Sequence, residues 1–448
     1  MEKYKKNGNR SWPPATEWLL VAIVFLLPWQ ARWIWYPRML NGAFWEYGSF
    51  SLYAIEALVW VCLILAAIRA MRNGFSTLPR LSWKKFLQPS GVIFIGVIML
   101  LAAAWSSLLW ATDRMVALQA AFRLTESIAL FYVFVLAKKT TQQYAGIAWA
   151  IAAGLQGVIA IAQYFTQGVF GSTWFGMAPQ WPGMLGASVV ELADGRWLRA
   201  YGTFPHPNIL AGFLALGILL AAQWYVRRYH HFDRVLALTC GICASLGLTF
   251  SFSRSGGLAA VFGVLVWLLN VFYRRHWQDA MRISRFIGLA FVVAGVAFFV
   301  ALPAYQVRVS GEGRLEKKSY VERQAFFREG MSGVLEALPI GVGIGHATVK
   351  SSRTVPTRPG WDYQPVHNIF LLSLLELGVA GMISVVLIFL GLVWRVVLGH
   401  SFVGLGVIGA LFILGWFDHY LWSLFPGSLM LWLGLAFSTS MAVNARTN

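Results

Sequence analysis

Apolar runs of about 20 residues recur along this chain, and each can cross a hydrocarbon core of roughly 30 Å at about 1.5 Å per residue. In lipid a backbone must satisfy its own hydrogen bonds, which a helix does unaided and a sheet does only as a closed barrel. Only 12% of the residues are charged and the mean hydropathy is +0.62, whereas a water-soluble domain is about 25% charged. The expected fold is therefore all-α: a polytopic membrane protein with about 12 transmembrane helices, forming a single membrane domain over 1–448. Spans are expected near 17–36, 50–68, 90–110, 122–137, 145–167, 207–226, 235–252, 256–273, 286–304, 368–394, 402–417 and 420–440. The first run follows basic residues but has no small-x-small cleavage site after it, and reads as an uncleaved anchor.

Charge gives the orientation. With the N-terminus in the cytoplasm, 20 of the 36 Lys and Arg fall in cytoplasmic segments, from Lys3, Lys5, Lys6 and Arg10 through Arg227, Arg228, Arg274, Arg275 and Arg395 to Arg446. The short outer connections hold only Arg32, Arg38, Arg114, Arg123 and Arg254. This is the positive-inside pattern, with both termini cytoplasmic. The net charge of +18 is thereby explained by topology and by attraction to anionic membrane lipids, and no nucleic acid is needed as a partner. Cys62, Cys240 and Cys243 fall inside spans and read as small core residues, with no disulfide or metal-binding pattern.

Two long segments face outward, 168–206 and 305–366. The first carries Trp174, Phe175, Pro179, Trp181, Pro182 and Trp197, a composition suited to the headgroup level, although a sugar-stacking role uses the same residues. In the second, residues 315–338 have helical periodicity. Tyr320, Phe327, Met331, Val334, Leu335 and Leu338 share one face, and Lys318, Glu322, Glu329 and Glu336 the opposite one. Arg323 and Arg328 flank the apolar stripe, where a guanidinium reaches a polar cavity or snorkels to water. The glycine-spaced stretch Pro339 to His346 follows a helix rather than a strand, so it is no dinucleotide fingerprint. Its glycines bring backbone close to a phosphate or to another helix.

Three polar clusters open spans on the outer side. At Pro365-Val366-His367-Asn368 the chain re-enters the membrane. A helix N-terminus and partial desolvation both disfavour imidazolium there, leaving His367 able to accept a proton; a capping or interfacial histidine is the alternative. His367, Leu371, Leu374, Gly378 and Gly381 share a face whose two glycines permit close packing. Gly202-Thr203-Phe204-Pro205-His206-Pro207-Asn208 opens the sixth span, with Asn208 placed to cap it. Phe250 to Gly257 forms a tight outer turn holding Arg254 against the charge rule, which suggests an anionic partner.

Taken in order, these clusters resemble the O-antigen ligase and polymerase family of bacterial membrane glycosyltransferases, and most closely O-antigen ligases. His367, Asn368, Gly378 and Gly381 match a His-Asn, nine residues, Gly, two residues, Gly pattern. The Gly-Thr-Phe-x-His-Pro-Asn and Phe-Ser-x-Ser-Arg-Ser-Gly stretches, and a large outer loop before the histidine, are similar to that family too.

The resemblance implies a multi-pass protein of the bacterial inner membrane with its active site on the periplasmic face. It implies transfer of a polysaccharide from an undecaprenyl-diphosphate-linked glycan donor to a lipid A core oligosaccharide acceptor, in lipopolysaccharide biosynthesis. The anomeric centre is inverted, and neither metal nor cofactor is used. His367 would be the catalytic base, with Arg254 and Arg323 on the diphosphate. Arg328, His206, Asn208 and Asn368 are further candidate substrate-binding residues. In ligases an arginine in the external helix stands four positions before a leucine; Arg323 is followed by Phe327, so Arg328 and Arg314 compete for that place. O-antigen polymerases and protein O-oligosaccharyltransferases share the layout.

The residues support such chemistry on their own terms. A diphosphate leaving group needs its developing charge neutralised by a metal or by arginines, and the outer segments hold no paired aspartates: Asp194 and Asp362 are isolated and Asp418 lies on a short turn. His206, His346 and His419 are weaker candidates for the base than His367. A secondary transporter is the alternative of another class, since twelve spans and the intramembrane Glu56, Glu126 and Glu376 also suit one. The polar residues gather at outer helix ends, however, and no inverted repeat is evident.

Overall fold

The computed structural model describes residues 14–72, 87–227, 230–311 and 313–440. Among them nine helices are long and apolar enough to cross a membrane: Ala54–Arg72, Pro89–Leu109, Arg114–Leu136, Lys139–Thr166, Pro207–Arg227, His231–Phe250, Arg254–Tyr273, Trp277–Val300 and Ile369–Leu398. Three shorter helices, Pro14–Phe25, Phe402–Phe417 and Phe425–Ser440, stand where the remaining spans are expected. The chain is an all-α polytopic membrane protein. Lys3, Lys5, Lys6, Arg10, Arg228 and Arg446 lie outside the described residues.

The first expected span is shorter than the hydropathy suggests, and the second keeps its length but begins four residues later, at Ala54. The first helix stops at Phe25, and Arg32–Tyr36 is instead a strand antiparallel to Phe50–Tyr53, with Arg32 opposite Tyr53. Pro28 has no N–H to continue a helix, and the run Trp33-Ile34-Trp35-Tyr36 has the aromatic and β-branched residues that favour extended backbone. Two further hairpins, Met39–Leu40 with Ala43–Phe44 and Val189–Leu192 with Gly195–Leu198, lie in the connections.

Pro207–Arg227 is the hub of the bundle. Of its apolar window 94% is buried, against 22% for Trp277–Val300, so the former is sheathed in protein while the latter shows most of its surface to lipid. Small residues let its neighbours approach closely: a side chain at Gly217 would run into Ala153, and one at Gly157 into the Cys243 carbonyl. Cys62 and Cys240 are buried and Cys243 half-buried, all unpaired.

The external helix runs Arg314–Ala337, but its packing face differs from the expected one. Phe326, Gly330, Gly333 and Val334 are buried, whereas Tyr320, Phe327, Met331, Leu335 and Leu338 are exposed. The glycines decide this. Gly330 sits on Val366 and Gly333 on Leu375, so the backbone docks through small residues more closely than the larger stripe would permit.

The glycine-spaced turn approaches a helix. Val342 and Gly343 donate to the carbonyls of Leu375 and Glu376 at 2.9 Å each, and Val379 donates to the Pro339 carbonyl at 2.9 Å. These bonds replace intrahelical ones at a kink in Ile369–Leu398, where Gly378 adopts φ +63°. That is left-handed backbone, which glycine tolerates and other residues rarely do. Gly381 faces the preceding turn of its own helix, at Ser373 and Leu377, rather than a neighbour.

Candidate active site

Helix ends from separate parts of the chain converge on one cavity of about 760 Å³. Its wall takes His206 and Asn208 from the start of Pro207–Arg227, Arg254 from the following hairpin, Arg323 from the external helix and His367 from the re-entry segment. With His419, also on the wall, six sequence-derived candidates are thereby brought together. Four others are not on the wall: Asn368, Arg328, which is exposed on the external helix, Arg314, which is exposed and pairs with Glu191 at 2.5 Å, and His346, which is buried elsewhere, its Nε2 accepting the Asp113 N–H at 3.0 Å. Of the three arginines competing for one role, only Arg323 lines the cavity.

His367 is placed by the helix it precedes. Asn368 caps Ile369–Leu398, its Oδ1 accepting the Leu371 N–H at 2.9 Å while Nδ2 donates to the Trp416 carbonyl at 3.1 Å. Asn368 is thus occupied as a brace. The His367 ring lies parallel to Phe326 at 6.3 Å and edge-on to His419 at 4.8 Å. Its Nδ1 has no hydrogen-bond partner among the described residues. Burial, reinforced by His419 and Arg323 and opposed by Asp418, pushes its pKa down to about 3, so the ring is neutral at physiological pH.

Asp418 and His419 occupy the break between Phe402–Phe417 and the short helix Tyr420–Ser423. Asp418 Oδ1 accepts the His419 N–H and Oδ2 accepts Asn208 Nδ2, both at 2.9 Å. Burial works against the Asp418 charge, but the surrounding His367, His419 and Arg323 hold its carboxyl below the usual range. One donor atom from each of His367, Asp418 and His419 lies within 4.8 Å of the others. That set suits a divalent cation, and equally a histidine base whose imidazolium is stabilised by a carboxylate.

Asn208 does not cap its helix. Its Oδ1 accepts Arg199 Nη2 at 2.8 Å, while its backbone N–H donates to His206 Nδ1 at 3.1 Å. The Arg199 guanidinium is buried, donating also to the Ser251 carbonyl at 2.8 Å and to Ser188 Oγ at 3.3 Å. It forms no ion pair among the described residues. Burial and the nearby Arg308 push its pKa well down, which is the signature of a cation set where an anion is missing. Arg323, half-buried, likewise makes no ion pair among the described residues. Arg308 and Arg254 face Glu316, at 2.5 and 3.7 Å. The arginines therefore form one cationic wall beside His367.

Sequence reasoning missed Arg199, Arg308 and the Asp418–Asn208–Arg199 chain. One signal was available: Asp418-His419 is the lone charged interruption between Phe402 and Ser440. The partners come from distant segments and leave no local pattern.

These features define a polytopic membrane protein with a cationic, histidine-bearing site where its helix ends converge. Residues 239–386 match the family model described as O-antigen ligase. The matched segment, a third of the chain, includes Arg254, Arg308, Glu316, Arg323 and His367; Arg199, His206, Asn208, Asp418 and His419 lie outside it. A comparison with curated proteins gives no match.

Proposed function

We propose that the protein is an O-antigen ligase of the bacterial inner membrane, transferring a polysaccharide from undecaprenyl diphosphate to the lipid A core oligosaccharide at the periplasmic end of its bundle. The observation that carries this reading is the unbonded His367 nitrogen in a cavity lined by five arginines, two of them, Arg199 and Arg323, without a carboxylate partner among the described residues. A hydroxyl acceptor needs a base, a diphosphate leaving group needs positive charge, and the cavity presents both.

In the reaction His367 takes the proton of the acceptor hydroxyl as that oxygen attacks the anomeric carbon. The bond to the diphosphate oxygen breaks with its electron pair leaving on undecaprenyl diphosphate, and the configuration inverts. Arg199, Arg254, Arg308 and Arg323 meet the departing charge. Asp418 stabilises the imidazolium, which then loses its proton to water. Basic residues at the far helix ends, among them Arg72, Arg227, Arg274 and Arg395, support cytoplasmic placement of that end.

Purified protein incubated with an undecaprenyl-diphosphate glycan and candidate acceptors, with excess chelator, tests the proposal. Modified lipid A core is the expected product. A lengthened lipid-linked chain would instead make the protein a polymerase, and glycosylated protein an oligosaccharyltransferase. Transfer that stops with chelator and returns with a divalent ion would turn His367, Asp418 and His419 into a metal site.

A further inference from the structure

Among the cavity arginines sits one carboxylate for which the proposed reaction has no use. Glu316 lies in the first turn of the external helix with its side chain 5% exposed. Its Oε1 receives Arg308 Nη1 at 2.5 Å. Its Oε2 faces Arg254 Nη2 at 3.7 Å and accepts no hydrogen bond. Both arginines are braced from behind: Arg308 Nη2 donates to the Phe252 carbonyl and Arg254 Nη1 to the Arg308 carbonyl, each at 3.1 Å. Their positions are therefore set independently of Glu316. The other acid of this helix at the cavity, Glu322, is paired at 3.5 Å with Lys318.

A guanidinium fork recognises carboxylate and phosphate oxygens by the same geometry. We propose that Glu316 is a built-in stand-in for one phosphoryl group, occupying the Arg254–Arg308 site when it is empty and competing with the diphosphate when it is full. The inference rests on the diphosphate reading above. Glu316 is a positioning residue in this scheme. In the empty cavity it offsets repulsion among clustered guanidinium groups, and after transfer it opposes retention of the diphosphate product, hastening release. Arg323 follows two turns later on the same helix, so displacement of Glu316 by an incoming phosphate is coupled mechanically to the placement of Arg323.

The test is binding of inorganic pyrophosphate to the full-length protein in detergent, by calorimetry, for wild type, Glu316→Gln and Glu316→Asp. Removing the competing charge in Glu316→Gln is expected to tighten pyrophosphate on the order of tenfold. Glu316→Asp, which keeps the charge on a shorter arm, should stay near wild type. In the transfer assay Glu316→Gln should lower KM for the donor and lower kcat with it, as product release slows. A purely structural ion pair predicts the reverse, weaker pyrophosphate binding and a lower melting temperature with no fall in KM. Pyrophosphate bound by wild type but no more tightly by Glu316→Gln overturns the stand-in alone. No binding by any of the three proteins overturns the diphosphate reading and this inference together.

Discussion

His206-Pro207-Asn208 and His367-Asn368 look alike in sequence, each a histidine and an asparagine at the mouth of a membrane helix, yet the two are bonded in opposite ways. In the first, His206 Nδ1 accepts from its own helix and Nε2 lies 3.3 Å from Ser188 Oγ, while Asn208 ties Arg199 to Asp418. In the second, Asn368 takes over the capping and one His367 nitrogen is left unbonded. A histidine whose nitrogens both have partners is a brace. One that lines the cavity and carries an unbonded nitrogen is available for chemistry, because accepting a proton there breaks no existing bond.

The sharpest way to break this contrast is to exchange the two roles. His367→Gln is expected to lower transfer by about 10²- to 10⁴-fold with the melting temperature little changed, the range for loss of a general base; transfer within a few fold of wild type would remove His367 from the chemistry. Next comes Asp418→Asn, which keeps the shape but removes the charge facing the imidazolium. Its kcat should fall on the order of 10²-fold with KM for the donor nearly unchanged. Equal losses in Asp418→Asn and in binding would make Asp418 a structural anchor instead.

Asn208→Ala probes the other motif. It leaves Arg199 Nη2 and one Asp418 oxygen without their partner, and a buried polar group so abandoned costs about 1–3 kcal/mol. The expected result is a lower melting temperature in detergent with weaker pyrophosphate binding, since Arg199 loses its brace. A melting temperature equal to wild type would show that the Arg199–Asn208–Asp418 chain contributes nothing.

What could be read from the sequence follows from how each feature is encoded. Spans were legible because lipid imposes a local and continuous demand, that every backbone group be satisfied within some 20 apolar residues. Arg32–Tyr36 was not, since an apolar strand and an apolar helix segment share a composition and only Pro28 marks the change. His367 and Arg254 were legible as polar residues placed where bilayer energetics resists them. Asp418 reads in the sequence only as a residue of a short turn, because its partners, Asn208 and His367, are 210 and 51 positions away along the chain. The orientation of Arg314–Ala337 was misread for a similar reason: helical periodicity reports an apolar face, but docking through Gly330 and Gly333 depends on the surface they meet.

The same contrast bears on pH dependence. Burial, as the largest cause, pushes the pKa of both His206 and His367 down to about 3, whereas an unfolded histidine titrates near 6.5. Between those values the unfolded chain binds a proton at each site that the folded chain does not, so stability rises with pH across roughly 3 to 6.5 and levels off above. Each site adds a slope of about 1.4 kcal/mol per pH unit. The melting temperature should therefore drop as pH falls below about 6.5, and His206→Gln or His367→Gln should each remove a similar part of that drop. The activity profiles separate the two. In His206→Gln, kcat/KM should stay flat from pH 8 to about 5, as in wild type, because the free enzyme's base remains neutral there. An inflection near 6.5 in wild type that persists in His206→Gln would mean that the His367 ring titrates as if exposed, and the distinction between brace and base would then have to rest on bonding alone.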